Sequence, residues 1–292
     1  MNHVLIQNEK VETNNLPQGI TLDASNLSIQ KHLVIKDTIK ISIHDKNSKP
    51  FKVVVGENTQ VKLILELNDQ NNDQPEYQID LETKEGSIVK FLLISNIQSE
   101  QAKLNFNAKC FKDSNVEFIG GFISHIIDAK LYLDLVGRGA NLKVRTIAVS
   151  ATTNEQNLDI RMTHHAPDTS AEMTNIGIAS DFGKVKLNGV GQIEQGMKNS
   201  NAYQTLRGII ISDTAEIDVN PILIIDEYDV KAGHAATVGR LEEDVLYYLR
   251  SRGLTLKEAT KLIINGFVQP IIDEIDDEPL KESVIKLVNE RI

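Results

Sequence analysis

The residues of this chain that could do chemistry are few and mostly isolated. The densest group runs Asp226-Glu227-Tyr228-Asp229-Val230-Lys231-Ala232-Gly233-His234-Ala235-Ala236-Thr237-Val238-Gly239, with a single histidine among glycines and alanines. Small neighbours let a backbone or a partner surface approach closely. A neutral imidazole at His234 can ligate a metal or shuttle a proton. Alone it lacks co-ligands, so on chemistry alone a packed junction with His234 hydrogen-bonded to backbone is the better reading.

Four other candidates are weaker. His164-His165 lies in a polar stretch, Met162 to Thr174. Adjacent histidines in a loop can bind a metal, whereas on one strand they point to opposite faces; an exposed loop pair is expected. Cys110 stands between β-like segments and reads as a small buried hydrophobe rather than a reactive thiol. Gly189-Val190-Gly191-Gln192-Ile193-Glu194 begins like a dinucleotide fingerprint, but Glu194 replaces the third glycine and no helical pattern follows. Glycines at a corner or strand bend explain it better. The acidic run Asp273 to Glu278 lacks the spaced ligands and central glycine of a calcium loop. It reads as a solvated linker with helix-capping carboxylates. Neither a His-Glu-x-x-His pattern nor a P-loop occurs.

Composition narrows the field. The chain has 292 residues, 41% hydrophobic and 25% charged, enough to bury a sizeable core without disulfides or structural metal. One cysteine excludes an internal disulfide, a cysteine-based zinc site and a complete iron–sulfur ligand set from this chain alone. A formal charge of −10 argues against general nucleic-acid binding and against anionic membranes. The opening Met-Asn-His-Val-Leu-Ile carries no signal-peptide pattern, and runs such as Phe91 to Ile94 are too short to span a bilayer. A cytoplasmic protein is the simplest expectation.

The elements that must position these residues change once along the chain. Up to about residue 240 the pattern is β, with period-two segments such as Val61 to Leu67 and Leu131 to Leu135. Apolar-charged-apolar triplets begin at Val61, Val89, Val116 and Leu142, at intervals of 28, 27 and 26 residues. Two more begin at Val185 and Ile217, 32 apart. A drifting period of this size suits a β-solenoid with two or more strands per coil; a large sandwich would look similar. From about residue 241 the period is helical. One helix is expected over Glu242 to Arg252, closed by Gly253. A second is expected behind a Thr255–Glu258 capping box, with a stripe of Leu256, Ala259, Leu262, Ile263 and Phe267. A third starts at Pro279, with Leu280, Val284, Leu287 and Val288 on one face. The expected division is 1–240 for the β-region and 241–292 for a helical domain.

Several of these stretches, read in order, resemble the signature of the SufB/SufD family. They are Ile209 to Pro221, Asp229 to Leu241, Leu246 to Leu254 and Leu262 to Phe267. The form Lys231-Ala232-Gly233-His234-Ala235-Ala236-Thr237 is similar to SufD. SufB is expected to carry a cysteine shortly upstream, and Asn220 to Lys231 contains none. Ala232 stands where relatives can have cysteine.

The resemblance implies a mainly β fold, a right-handed parallel β-helix followed by a small C-terminal helical domain. It implies a non-catalytic scaffold of SUF iron–sulfur cluster assembly, in which the β-helix pairs with a SufB-like subunit. It places His234 at the cluster-forming interface, where a partner cysteine supplies the missing co-ligand. The cluster is then transient and shared, not held stably by this chain alone. The C-terminal helices are implied to bind a SufC-like ABC ATPase, with Leu246, Tyr247, Leu249, Arg250, Arg252 and Phe267 as contacts. A homodimer is the alternative when no SufB-like subunit is present. Two rival readings are a structural solenoid adaptor in which His234 only packs, and a carbohydrate-processing β-helix enzyme.

Overall fold

The computed structural model describes residues 2–7, 10–13, 16–23, 25–44, 50–69, 74–273, 275 and 278–292. The chain opens with β1 (Asn2–Gln7), β2 (Lys10–Thr13), β3 (Ile20–Leu22) and β4 (Asn26–Ile29). Two-strand coils then follow. They are β5 (Ile39–His44) with β6 (Phe51–Val55), β7 (Gln60–Asp69) with β8 (Glu76–Thr83), and β9 (Ile88–Ile97) with β10 (Ala102–Cys110). Next come β11 (Asn115–Phe122) with β12 (Ile126–Leu135), β13 (Asn141–Ser150) with β14 (Glu155–His164), and β15 (Ser170–Ala179) with β16 (Lys184–Ile193). The last full coil is β17 (Asn201–Ile210) with β18 (Glu216–Ile225), and β19 (Lys231–Arg240) is the final strand. Odd strands from β5 to β19, with β1 and β2, form one ten-stranded sheet; even strands from β4 to β18, with β3, form a nine-stranded sheet. Pairing is parallel from β4 and β5 onward, and antiparallel for β1–β2 and β3–β4. This is a parallel β-solenoid.

The triplet repeat is the stacking register. Val61, Val89, Val116 and Leu142 are neighbours across β7, β9, β11 and β13, and Leu63, Phe91, Phe118 and Val144 form the next inward row. Val185 and Ile217 are stacked in the same way in the other sheet. The charged middle residues face out, where Glu117 pairs with Arg145 and lies 3.7 Å from Lys90. The interior is aliphatic apart from local groups such as Phe91, Phe106 and Phe118, with centroids 4.9–6.1 Å apart. Each fully buried aliphatic contributes about 1.5–3 kcal/mol, so the stack is held by many equal small increments.

One corner shows how the coil length is set. Asn58, Gly86, Asp113, Gly139, Asp168 and Asn199 all have positive φ, one per coil. The N–H of each donates to a carbonyl of the following coil, from Asn58 to Glu85 at 2.8 Å through to Asn199 to Asp229 at 2.7 Å. Only glycine and, at some cost, short polar residues take this left-handed conformation readily.

Three helices follow, of which the second and third cover the outer face of the ten-stranded sheet. They are α1 (Glu243–Ser251), α2 (Leu256–Ile272) and α3 (Glu278–Glu290). Ile64, Leu92, Ile94, Ile119, Ile147, Val149, Ile178 and Ile209 on that face pack with Ile264, Val268, Ile272, Leu280, Val284 and Val288. Strands such as β9 are therefore buried on both faces, which explains the unbroken Phe91–Ile94 run. The Thr255–Glu258 capping box forms as expected: Thr255 Oγ1 and Glu258 Oε2 each accept from the other residue's backbone N–H, at 3.2 and 2.8 Å. Gly253, at φ +100, closes α1 in a Schellman arrangement. The buried face of α2 is rotated from the expected stripe. Ala259, Ile264, Val268 and Ile272 are buried, while Leu256 and Leu262 are exposed. Pro270 lies inside α2 and does not end it. Arg291 pins the C-terminal end, donating to the carbonyls of Ser124 at 2.8 Å and Ile123 at 2.9 Å, and burial draws its pKa down to about 10.

Gly86→Ala should lower stability by about 1–2 kcal/mol, because its φ is +67 and an added Cβ would run into Asn58 Oδ1. A urea titration followed by circular dichroism measures this. A change within about 0.3 kcal/mol would contradict the corner argument.

Candidate functional site

A stack of coils satisfies each strand with the next one, so its two ends are special. At the C-terminal end the last strands are β18 and β19. The Asp226 N–H donates to Ile193 O at 2.9 Å and the Lys231 N–H to Ser200 O at 3.0 Å. Peptide groups alternate along a strand. The amides and carbonyls of Ala232, His234, Ala236 and Val238 therefore point away from β17. Those of Ile217, Val219, Leu223 and Ile225 point away from β16. Pro221, which has no N–H, sits on this outer row, where proline costs no ladder bond. Ten residues of strand in each sheet thus present an open edge, a template for pairing with another chain.

The side chains at this end repeat the theme. Ala232, His234, Ala236 and Val238 stand over Ala202, Gln204, Leu206 and Gly208, which are buried and face inward. His234 thus shares the inward face but is exposed, because no coil follows. Val238 is exposed in the same row, and the inward Ile217, Val219, Leu223 and Ile225 of β18 are half-buried, while Ile222 and Ile224 are exposed on its outer face. The end of the core is therefore an apolar, uncapped surface with one imidazole in it. Directly below His234, Gln204 is buried and donates from Nε2 to Ile222 O at 2.7 Å. Sequence reasoning does not single out Gln204; only the register shows it.

The expected helical contacts separate into two groups. Tyr247 and Arg250 on α1 are exposed, with Tyr247 at 76%, while Leu246 and Leu249 are half-buried. Arg252, at the C-cap, lies over the Tyr248 ring at 5.2 Å. No residue of α1 is buried. Phe267 instead turns toward the sheet beneath Arg207, whose guanidinium is 4.3 Å from the ring centroid. It lines a cavity of about 280 Å³ with Arg207, Thr237, Arg240, Val245 and Ile263, between the edge strand and the helices. His234 and these residues do not form one cluster.

The remaining motifs resolve as structure. His164 and His165 are not an exposed loop pair. His164 ends β14 and is buried, while His165 faces out between Glu194, 2.9 Å away, and Asp134, 3.4 Å away. His164 Nδ1 is 2.7 Å from Thr169 Oγ1, and its Nε2 has no hydrogen-bond partner among the described residues. Burial, and secondarily the nearby His165, draws its pKa down to about 4. Cys110 is fully buried and its thiol is pushed up to about 12 by desolvation, as expected of an inert packing residue. Gly189 and Gly191 lie within β16, facing inward. Of the acidic run, Glu274, Asp276 and Asp277 lie outside the described residues. Among the described residues no group of three or more His, Cys, Asp or Glu side chains is placed to hold a metal, and no helix is long and apolar enough to cross a membrane.

The family model described as "SUF system FeS cluster assembly, SufBD core domain" matches residues 43–267. The chain is 35% identical over 159 residues to the iron–sulfur cluster assembly protein SufD of Bacillus subtilis, covering 54% of this chain and 36% of that protein. It is 28% identical over 158 residues to SufD of Escherichia coli, covering 54% and 37%. Against SufB of Bacillus subtilis it is 27% identical over 205 residues, covering 68% and 43%. The matched stretches thus span less than half the length of these relatives.

The buried His164 makes an acid-sensitive core. Its folded pKa lies below the usual histidine value of 6.5, so the unfolded chain binds the extra proton first. Stability should hold above pH 6.5 and fall as the pH drops toward 4, by on the order of 3 kcal/mol. Urea midpoints at pH 7.5 and pH 4 measure it. His164→Gln should remove most of the difference, and an unchanged difference in that variant would refute the assignment.

Proposed function

Because the chain belongs to the SufBD core family of SUF iron–sulfur cluster assembly proteins, SufD-like within it, we propose that it is a scaffold subunit rather than an enzyme. Its open edge pairs with the β-solenoid of a SufB-like subunit, and its C-terminal helices bind a SufC-like ABC ATPase. The nascent iron–sulfur cluster is the cargo, formed where the two solenoid ends meet. One observation carries this reading: His234, the histidine of the family-like stretch, stands on the last strand, at the uncapped end of the core.

Each part of the surface has a task that its physics suits. The unpaired peptide groups of β18 and β19 supply directional bonds to a partner strand. The exposed Val238 and the half-buried Ile217, Val219 and Leu223 of the inward rows supply apolar area. His234 offers one imidazole nitrogen, and a partner thiolate completes a mixed ligand set that iron accepts. The exposed tyrosines of α1 are the kind of residue that anchors interfaces. ATP-driven closure of the ATPase pair then pulls on α1 and α2. Phe267 and Arg207 link that motion to β17, and the cavity beside the edge strand gives the helices room to shift. Opening the joined ends would expose His234 and the partner thiol to sulfur and iron.

The test is co-expression with SufB-like and SufC-like subunits from the same source, followed by mass determination and cluster assembly. His234→Ala should leave the complex intact and lower assembly at least tenfold. Full assembly by that variant would remove the ligand role and leave a structural adaptor. Tyr247→Ala with Arg250→Ala should weaken binding of the SufC-like subunit about tenfold or more, while the melting temperature stays within about 2 °C, because α1 buries nothing. Unchanged ATPase binding would place that contact elsewhere.

A further inference from the structure

We propose that the outer side of the second half of β18 is a further contact surface for the SufB-like subunit, which closes over Ile222 and Ile224 with an apolar segment carrying an acidic side chain for Arg161. This rests on the reading that a SufB-like solenoid completes the open end, and it extends that contact from an edge onto a face. Phe91-Leu92-Leu93-Ile94 and Ile222-Leu223-Ile224-Ile225 are both unbroken apolar runs on solenoid strands. Such a run belongs to a strand covered on both faces. The first run meets that rule within the chain: Phe91 and Leu93 join the interior, and Leu92 and Ile94 pack with α2 and α3. The second run meets it on one side only. Leu223 and Ile225 stand over Gly191 and Ile193 on the inward face. Ile222 and Ile224 face outward on the nine-stranded sheet, which α2 and α3 do not reach, and are 44% and 37% exposed. The cover that the pattern calls for has to come from another chain.

The register shows where that cover joins the open end. Two outward rows lead along the nine-stranded sheet to Ile222 and Ile224. In the early coils they are polar, with Asp80 and Asn107 in one and Glu82, Lys109 and Asp134 in the other. Toward the open end the first continues as Tyr132, Arg161, Val190 and Ile222, and the second as Thr163, Gln192 and Ile224. The face thus turns apolar only as it approaches β18, the strand whose free peptide groups offer an edge. A partner strand bonded there would lie about 4.8 Å beyond β18, so the partner's next residues are the nearest cover for Ile222 and Ile224. Arg161 sets the polar part of the fit. It is half-buried in the first row, and no carboxylate pairs with it among the described residues; its Nε is buried without a hydrogen-bond partner. An unpaired guanidinium beside apolar side chains is a site for a carboxylate brought from outside.

Thiol labelling tests the face separately from the edge. The chain's single cysteine, Cys110, is buried, so a cysteine placed on the surface is the reactive one. Ile222→Cys should react readily with a maleimide in the free chain, and about tenfold or more slowly in the complex with SufB-like and SufC-like subunits. Ala236→Cys, on the inward row of β19, reports on the open end itself. Protection at both positions supports the proposal. Protection of Ala236→Cys with an unchanged rate for Ile222→Cys would leave the end-to-end contact standing and overturn the contact on the outer face. Unchanged rates at both would remove the end-to-end reading, and this inference with it. Protection of Ile222→Cys in the chain alone, rising with its concentration, would assign the patch to a second copy and also overturn it. Affinity supplies an independent check. Ile222→Thr with Ile224→Thr keeps the β-branching that suits a strand and should leave the melting temperature of the free chain within about 2 °C, because both side chains are exposed. It should weaken binding of the SufB-like subunit about tenfold or more, and full affinity would contradict the proposal. Arg161→Gln should weaken binding about threefold and flatten its salt dependence; an unchanged affinity and salt dependence would overturn the acidic contact.

Discussion

The hydrogen bonding between successive coils is the interaction on which everything else depends. Each strand from β5 to β17 has its peptide groups satisfied by the coil before and the coil after. Inward rows such as Leu63, Phe91, Phe118 and Val144 are buried by the same stacking. The positive-φ corner from Asn58 to Asn199 keeps the coils in step. A structure built in this way is stable in its middle and unfinished at its end. The last coil has the same apolar rows and the same backbone groups as the others, with nothing above them.

The helices solve a different problem and so leave the end open. The ten-stranded sheet is apolar on its outer face, and α2 and α3 cover it through Ile264, Val268, Leu280 and Val284. Arg291 clamps the C-terminal end to the Ile123–Ser124 carbonyls on the body of the solenoid, several coils before β19. The chain therefore buries its side and leaves its end and α1 free. One surface has unpaired strand edges and an imidazole; the other has exposed tyrosines. That division matches a subunit that joins one partner end to end and another through its helices.

Much of the fold was legible because it is periodic. The triplets at Val61, Val89, Val116 and Leu142 form one stacked row. The capping box at Thr255 and the glycine at 253 sit where their chemistry places them. The errors came where tertiary packing overrides local pattern. Leu256 and Leu262 fit a helical stripe, but α2 buries the face carrying Ile264 and Val268, because that is the face the sheet meets. His164 looked like half of an exposed pair, yet strand alternation sends it inward and His165 outward. His234 was visible as a residue through its family resemblance, but its place on the final rung was not. The burial of Gln204 was not visible at all, since it depends on strands that only the register brings together.

The central claim is that the open edge of β18 and β19 is the surface a SufB-like partner completes. Hydrogen–deuterium exchange of the full chain, alone and in complex with that partner, tests it most directly. The amides of Ala232, His234, Ala236 and Val238 should exchange quickly in the free chain and become protected by at least an order of magnitude in the complex, while those of β9 and β11 change little. A stable complex in which these edge amides exchange as fast as in the free chain would contradict the account.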